Sequence, residues 1–186
     1  SAREVLDDVY QRHPDIGAIG EAVLRGGVAE AQKLDAALGV PIVPALCDRL
    51  KTTAERIEKM GEVYVDPKYD GTRLQIHWDA QSQKLSTYTR NLEENSAMFP
   101  ELKDLLKLLP VKTVILDGEA VGYDPQNNEL VTFQQTIKRK RKHGIEEMRQ
   151  EIPLRFFIFD VLFVDGESLL HTPLQDRRVK LEELWQ

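Results

Sequence analysis

The sequence predicts an α+β chain: a helical N-terminal stretch, then antiparallel strands with helices between them. Three observations carry this. Val5, Leu6, Val9 and Tyr10 recur at helical spacing near the start. From Val63 the period changes to two, and Leu74, Ile76 and Trp78 alternate with Gln75, His77 and Asp79. The most apolar run, Phe156 to Val164, is rich in β-formers and too short for a typical helix. Helices first and strands afterwards is the order of an α+β chain.

The elements follow in order. The first helix breaks at His13-Pro14-Asp15. Asp15 can cap a second helix running through Leu24 to Gly26-Gly27, and a third is expected from about Val28 to Leu38, before Gly39. Three short helices bury little core, so residues 1–40 read as the end of a larger helical domain. Gly39-Val40-Pro41-Ile42-Val43-Pro44 is an extended connector, because each proline pushes its predecessor out of helix. Thr52-x-x-Glu55 is a capping box for a helix that stops at Gly61. Leu74 to Trp78 reads as a half-buried strand, returning through Gln81-Ser82-Gln83 into Leu85 to Thr89. An amphipathic helix is expected over Phe99 to Leu109, closed by Pro110. A buried strand begins at Val114 and runs through Asp117-Gly118-Glu119 to Val121. Residues 131–150 mix helix and basic loop. Phe156 to Val164 is the central strand, Asp165-Gly166 a turn, and Leu174 to Trp185 the last helix.

Composition narrows the classes of function. At 41% hydrophobic and 30% charged residues, the chain is ordinary globular protein. No apolar run approaches the ~20 residues that span a bilayer, and no leader-like segment opens the sequence. The single cysteine, Cys47, cannot form an internal disulfide and fits a reducing compartment. The scattered His13, His77, His143 and His171 give no zinc spacing. A net charge of −6 is unexpected for a protein that grips DNA unaided. The basic run Lys138 to His143 reads as a solvated face, or as a phosphate contact without sequence specificity.

Chemistry concentrates at Lys68-Tyr69-Asp70-Gly71-Thr72-Arg73, just before the first strand. A lysine amine with a free pKa near ~10.4 is almost wholly protonated at neutral pH and a poor nucleophile. Neighbouring positive charge and partial desolvation favour the neutral form, and Arg73 or a phosphate-bound cation could supply that charge. Gly71 lets the backbone turn tightly beside a phosphate. The same residues also fit a plain hairpin turn, since Asp-Gly is a strong turn signal.

The K-x-D-G-x-R pattern resembles the nucleophile motif of the covalent nucleotidyltransferases, in which the lysine attacks the α-phosphorus of a nucleoside triphosphate. Four further segments resemble those of ATP-dependent DNA ligases of the archaeal and eukaryotic type, in order. They are Thr89-Arg90-Asn91 with Phe99-Pro100-Glu101, Asp117-Gly118-Glu119, Phe159-Asp160, and Pro173-Leu174 with Arg177-Arg178 and Leu181. The resemblance extends upstream through Asp15-Ile16-Gly17 and the 40–44 connector.

The resemblance implies an antiparallel-sheet adenylation domain over residues 41–186, preceded over 1–40 by the end of a helical DNA-binding domain. It implies Lys68 as the catalytic nucleophile, ATP as nucleotide and Mg²⁺ as metal. It places Glu119 at the ribose and metal, Arg73 and Arg90 at ribose and phosphate, Asp66 at the adenine 6-amino group, and Phe159 stacked on the base. Asp66 departs from the family, which usually has Glu there. The implied substrate is nicked double-stranded DNA, with a monomeric protein, and a sliding clamp as partner through regions outside this chain. The implied compartment is the cytoplasm, or the nucleus in a eukaryote. The alternatives are an RNA ligase or mRNA capping guanylyltransferase with the same lysine chemistry, or an inert DNA-binding module. No E-G-x motif, K-x-K motif or OB-fold follows the last helix, so the chain reads as a fragment. Residues 1–186 alone are expected neither to self-adenylate appreciably nor to seal a nick.

Overall fold

The computed structural model describes residues 1–46, 49–140 and 151–186. Its centre is an antiparallel five-stranded sheet in the order β2-β1-β3-β4-β5. The strands are β1 (Thr72–Asp79), β2 (Lys84–Tyr88), β3 (Thr113–Gly122), β4 (Leu154–Val164) and β5 (Glu167–Ser168). One face buries Leu74, Ile76, Trp78, Val114, Leu116 and Val161. Against it pack Leu102 and Leu106 of α4 (Leu102–Leu106), and Leu181 of the C-terminal helix α6 (Leu174–Glu183). Each fully buried leucine of this layer contributes roughly 1.5–3 kcal/mol.

The N-terminal helices form as the sequence leads one to expect. α1 (Ala2–Arg12) starts in a capping box of Ser1 with Glu4, and α2 (Ile16–Ala31) is capped by Asp15. α2 breaks at Gly26-Gly27, where Gly27 takes φ 72°, a conformation that costs a residue with a side chain. α3 (Thr53–Met60) has both bonds of the Thr52–Glu55 box and ends at Gly61 with φ 70°. The helix expected to reach Leu38 stops at Ala31. Buried Arg12 donates through Nε to the Leu34 carbonyl at 2.9 Å and through an Nη to Gln32 at 3.0 Å, and His13 Nδ1 lies 2.9 Å from the Asp35 carbonyl. These carbonyls are drawn into a turn by side chains twenty or more residues earlier. The helix expected over 99–109 also shortens. Phe99, Leu102, Leu106 and Leu109 all bury as the spacing requires, but Pro100 and Pro110 restrict continuous helix to one turn. α5 (Phe133–Thr136) and a 3₁₀ turn (Ile137–Lys140) precede the end of the second described stretch.

β1 differs from expectation in one respect: it is buried on both faces. Gln75 and His77, read as the solvent side of a half-buried strand, are 5% and 2% exposed. The connector lies over them as a strap. Ile42 N donates to Gln75 Oε1 at 2.7 Å, and Gln75 Nε2 donates back to the Ile42 carbonyl at 3.0 Å. Gly39 N donates to His77 Nδ1 at 3.1 Å, so the ring proton sits on Nε2, which donates to Gln75 Oε1 at 3.0 Å. Tyr88 Oη donates to the Gly39 carbonyl at 2.8 Å. Ala36 and Ile42 add apolar contact with Ile115, Leu162 and Phe163.

Burial pushes the His77 imidazole down from 6.5 to about 4. Between those values the unfolded chain binds a proton that the folded one refuses, so this contribution is complete above pH 6.5 and lost as pH falls towards 4. The loss approaches about 3 kcal/mol. Urea denaturation at pH 7 and pH 4 is expected to show that extra acid sensitivity in the native protein and not in a His77→Gln variant. Equal acid sensitivity in the two would contradict it.

Candidate active site

The face that carries the strap carries the candidate chemistry at its other end. Arg73 on β1 and Glu119 on β3 are directly opposed in the ladder, and Asp117 lies on the same face two residues along. Lys68 sits in the exposed segment without regular secondary structure that leads into β1. Three contacts fix that segment. Gly71 presses so closely on β3 that a Cβ would overlap the Ala120 carbonyl oxygen, which explains glycine there. Its N–H donates to Glu119 Oε1 at 3.2 Å. Asp70 Oδ2 accepts from Phe133 N, at the start of α5, at 3.2 Å. A hairpin turn is not what these residues form: β1 starts at Thr72, and its hairpin lies at the other end of the strand.

Arg90 follows β2 in a turn built on Thr89, whose hydroxyl accepts from Asn91 N at 3.2 Å and Glu93 N at 3.3 Å. Lys68, Arg73, Arg90 and Glu119 all line one cavity of about 740 Å³. Pro44, Ala45 and Leu46 of the strap form part of its wall, and Arg49 and Phe133 also face it. Asp66 and Phe159 line a neighbouring, more apolar cavity of about 680 Å³ with Tyr69 and Phe157. Tyr69 stacks on Phe157 with ring centroids 3.7 Å apart.

Arg73 lines the polar cavity and touches Phe159, which lines the apolar one. Its guanidinium forks onto Asp117, Nε to Oδ1 at 2.6 Å and an Nη to Oδ2 at 2.5 Å, and lies 4.8 Å from the Phe159 ring centroid. Phe159 falls between the pairs Gly118–Ile158 and Asp117–Asp160, at a register shift of β4. The extra residue of a bulge is how a strand re-aims one side chain. Neighbouring Asp160 takes a forked bond from Arg177 of α6, both contacts at 2.8 Å.

The electrostatics follow from burial and opposite charge. The fork from Asp117 holds the Arg73 guanidinium above its usual range. Burial pushes the Asp117 carboxyl up, and the Arg73 contact pulls it part of the way back. Burial likewise raises Glu119, opposed by the Gly71 N–H and by the positive charges of Arg73 and Lys68. Among the described residues, no three His, Cys, Asp or Glu side chains gather to hold a metal. The Glu119 carboxylate is a hard oxygen donor of the kind that fits Mg²⁺, a cation that commonly takes only one or two protein carboxylates.

Four of the six residues chosen from the sequence therefore share one cavity, and Phe159 reaches them through Arg73. Asp66 stands apart: its carboxylate pairs with Arg178 of α6, whose guanidinium also lies 5.6 Å from the Tyr64 ring centroid. Sequence reasoning missed Asp117 as the partner of Arg73, although it stands two residues before Glu119 and shares its face. Nothing local in the sequence signals a pair such as Asp66–Arg178, 112 residues apart. Cys47 and residues 141–143 of the basic run lie outside the described residues.

Residues 44–186 match the family model for the ATP dependent DNA ligase domain. DNA ligase 2 of Thermofilum pendens is 36% identical over 185 residues, 99% of this chain and 30% of that protein. The DNA ligase of Aeropyrum pernix is 40% identical over 185 residues, again 30% of its length. A solved mycobacterial DNA ligase D complexed with ATP and MES is 32% identical, with a TM-score of 0.50, covering 64% of this chain and 36% of that one. The chain spans about 30% of the length of the curated relatives it matches. It is a member of the ATP-dependent DNA ligase domain family.

Proposed function

We propose that the protein is an ATP-dependent DNA ligase that seals nicks in duplex DNA, and that Lys68 carries AMP covalently during the reaction. The observation that carries this reading is the cavity that gathers Arg73 of β1, Glu119 of β3 and Arg90 after β2 around Lys68, whose segment is tied to β3 and α5. In the first step the Lys68 amine loses a proton and attacks the α-phosphorus. A P–N bond forms, the α–β P–O bond breaks, and pyrophosphate leaves. A 5′-phosphate oxygen at the nick then attacks the same phosphorus and releases the lysine. Finally the 3′-hydroxyl attacks the activated 5′-phosphorus and AMP departs.

The side chains align and neutralise rather than enter the bonds that change. The polar cavity takes the ribose and phosphates, with Arg73 and Arg90 facing oxygens through permanent charge. Glu119 would help hold Mg²⁺, which would supply positive charge to offset that of the phosphates. The apolar cavity takes the base. One face of Phe159 is covered by Arg73, so the adenine stacks on the other, a contact worth roughly 1–3 kcal/mol. Asp66 receives the adenine amino group only while sharing its carboxylate with Arg178. Residues 1–40 are the part of a helical DNA-binding domain that adjoins the sheet.

Labelled ATP and labelled GTP, each with Mg²⁺, test the reading in the protein at its full natural length. A covalent label from ATP that is discharged by nicked DNA and not by nicked RNA is expected. A label from GTP, or discharge by RNA alone, would point to a capping enzyme or an RNA ligase.

A further inference from the structure

The strap over β1 ends as a wall of the lysine cavity. Gly39 and Ile42 are gripped through their backbones by His77, Gln75 and Tyr88, and Pro44, Ala45 and Leu46 follow immediately on the cavity side. We propose that Gln75, His77 and Tyr88 are positioning residues for nucleotide binding: they clasp the strap and so set the cavity wall at 44–46. The inference rests on the proposed adenylation at Lys68 for its kinetic readout, and on the hydrogen bonds alone for its structural one.

The side chains leave no redundancy. Gln75 Oε1 takes the Ile42 N–H and the His77 ring N–H together, and Gln75 Nε2 returns a bond to the carbonyl of the same residue, Ile42. His77 Nδ1 is thereby left as the acceptor for Gly39 N. A side chain at 77 must therefore accept on one side and donate on the other. Packing alone would have been met by any apolar residue, which would have avoided burying polar atoms in the sheet. Polar groups at 75 and 77 fit backbone capture instead. Among the described residues the strap's other anchors near this point are Val43 N, which donates to the Gln11 carbonyl at 2.9 Å, Val40 N, which donates to the Ala37 carbonyl at 3.2 Å, and the Ile42 side chain in the apolar cluster with Ala36. From Pro44 to Leu46 the chain has no secondary structure. The position of that wall is inherited from the clasp.

The test uses the protein at its full natural length, with nucleotide transfer to Lys68 measured against ATP concentration and with amide exchange followed at Gly39 and Ile42. In His77→Phe the two amides are expected to exchange at least ~100-fold faster while β3 amides keep their protection. The KM for ATP is expected to rise about ten-fold with kcat within about two-fold, as for loss of a few buried hydrogen bonds that act on binding only. His77→Gln, which keeps an acceptor and a donor, restores most of both. Tyr88→Phe removes one bond and gives a smaller change in the same direction. It decides the matter if His77→Phe proves unfolded. Protected amides in these variants, or loosened amides with unchanged KM, would overturn the proposal, and so would equal falls in kcat and kcat/KM. If the unaltered protein takes no nucleotide at all, the functional reading fails, and the exchange rates alone then decide the clasp.

Discussion

Replacing Lys68 by alanine is expected to abolish covalent labelling by ATP, with no residual label at any other residue. Among the described residues no other lysine lines the cavity, which otherwise offers arginines, two glutamates, neutral polar groups and an apolar wall. Arginine at 68 is expected to fail equally, because a guanidinium stays protonated and cannot attack phosphorus. The fold should tolerate both changes, since the Lys68 side chain is exposed and the loop is held instead by Gly71 and Asp70. A thermal melt within a degree or two of the native protein, together with complete loss of label, is the expected pair of results. Label retained in Lys68→Ala would move the nucleophile elsewhere.

The second large effect is expected at Asp117. Asp117→Ala leaves the Arg73 guanidinium without its forked partner in a site where Asp117 is 12% and Arg73 37% exposed by side chain. Breaking a well-buried ion pair costs about 3–5 kcal/mol, and the partial exposure of Arg73 lowers that to about 2–3 kcal/mol here. Function should suffer as well, because the fork holds Arg73 over Phe159 and in the wall of the lysine cavity. Asp117→Asn keeps one acceptor and is expected to lose about half as much stability. Urea denaturation of the three proteins measures this, and an alanine variant as stable as the native protein would show that Arg73 finds another partner.

Much of the fold is legible in the sequence, for local reasons. The Asp15 cap, the capping box at Thr52, the break at Gly26-Gly27 and the alternation through β1 are written in adjacent residues. What escapes is set at long range. Alternation identifies Gln75 and His77 as the face opposite the core, but only the docked strap makes that face buried. Arg12 and His13 end the third helix by capturing carbonyls some twenty residues away. Position 159 is an aromatic on a strand by its local sequence, and the bulge that turns it towards Arg73 depends on register with β3. The site divides in the same way. Three separate segments point to Lys68 and Arg73, to Arg90 and to Glu119, and the fold brings them to one cavity. Asp117 and the Arg178 partner of Asp66 emerge only when strands and α6 are assembled.

The central claim is that Lys68 is the covalent carrier of AMP. It is tested most directly by incubating the protein at its full natural length with ATP and Mg²⁺, digesting it, and locating the adduct by mass spectrometry. The expected result is a single AMP-bearing peptide containing Lys68, which disappears when nicked DNA or excess pyrophosphate is added. An adduct on any other residue, or none under conditions where nicks are being sealed, would contradict it.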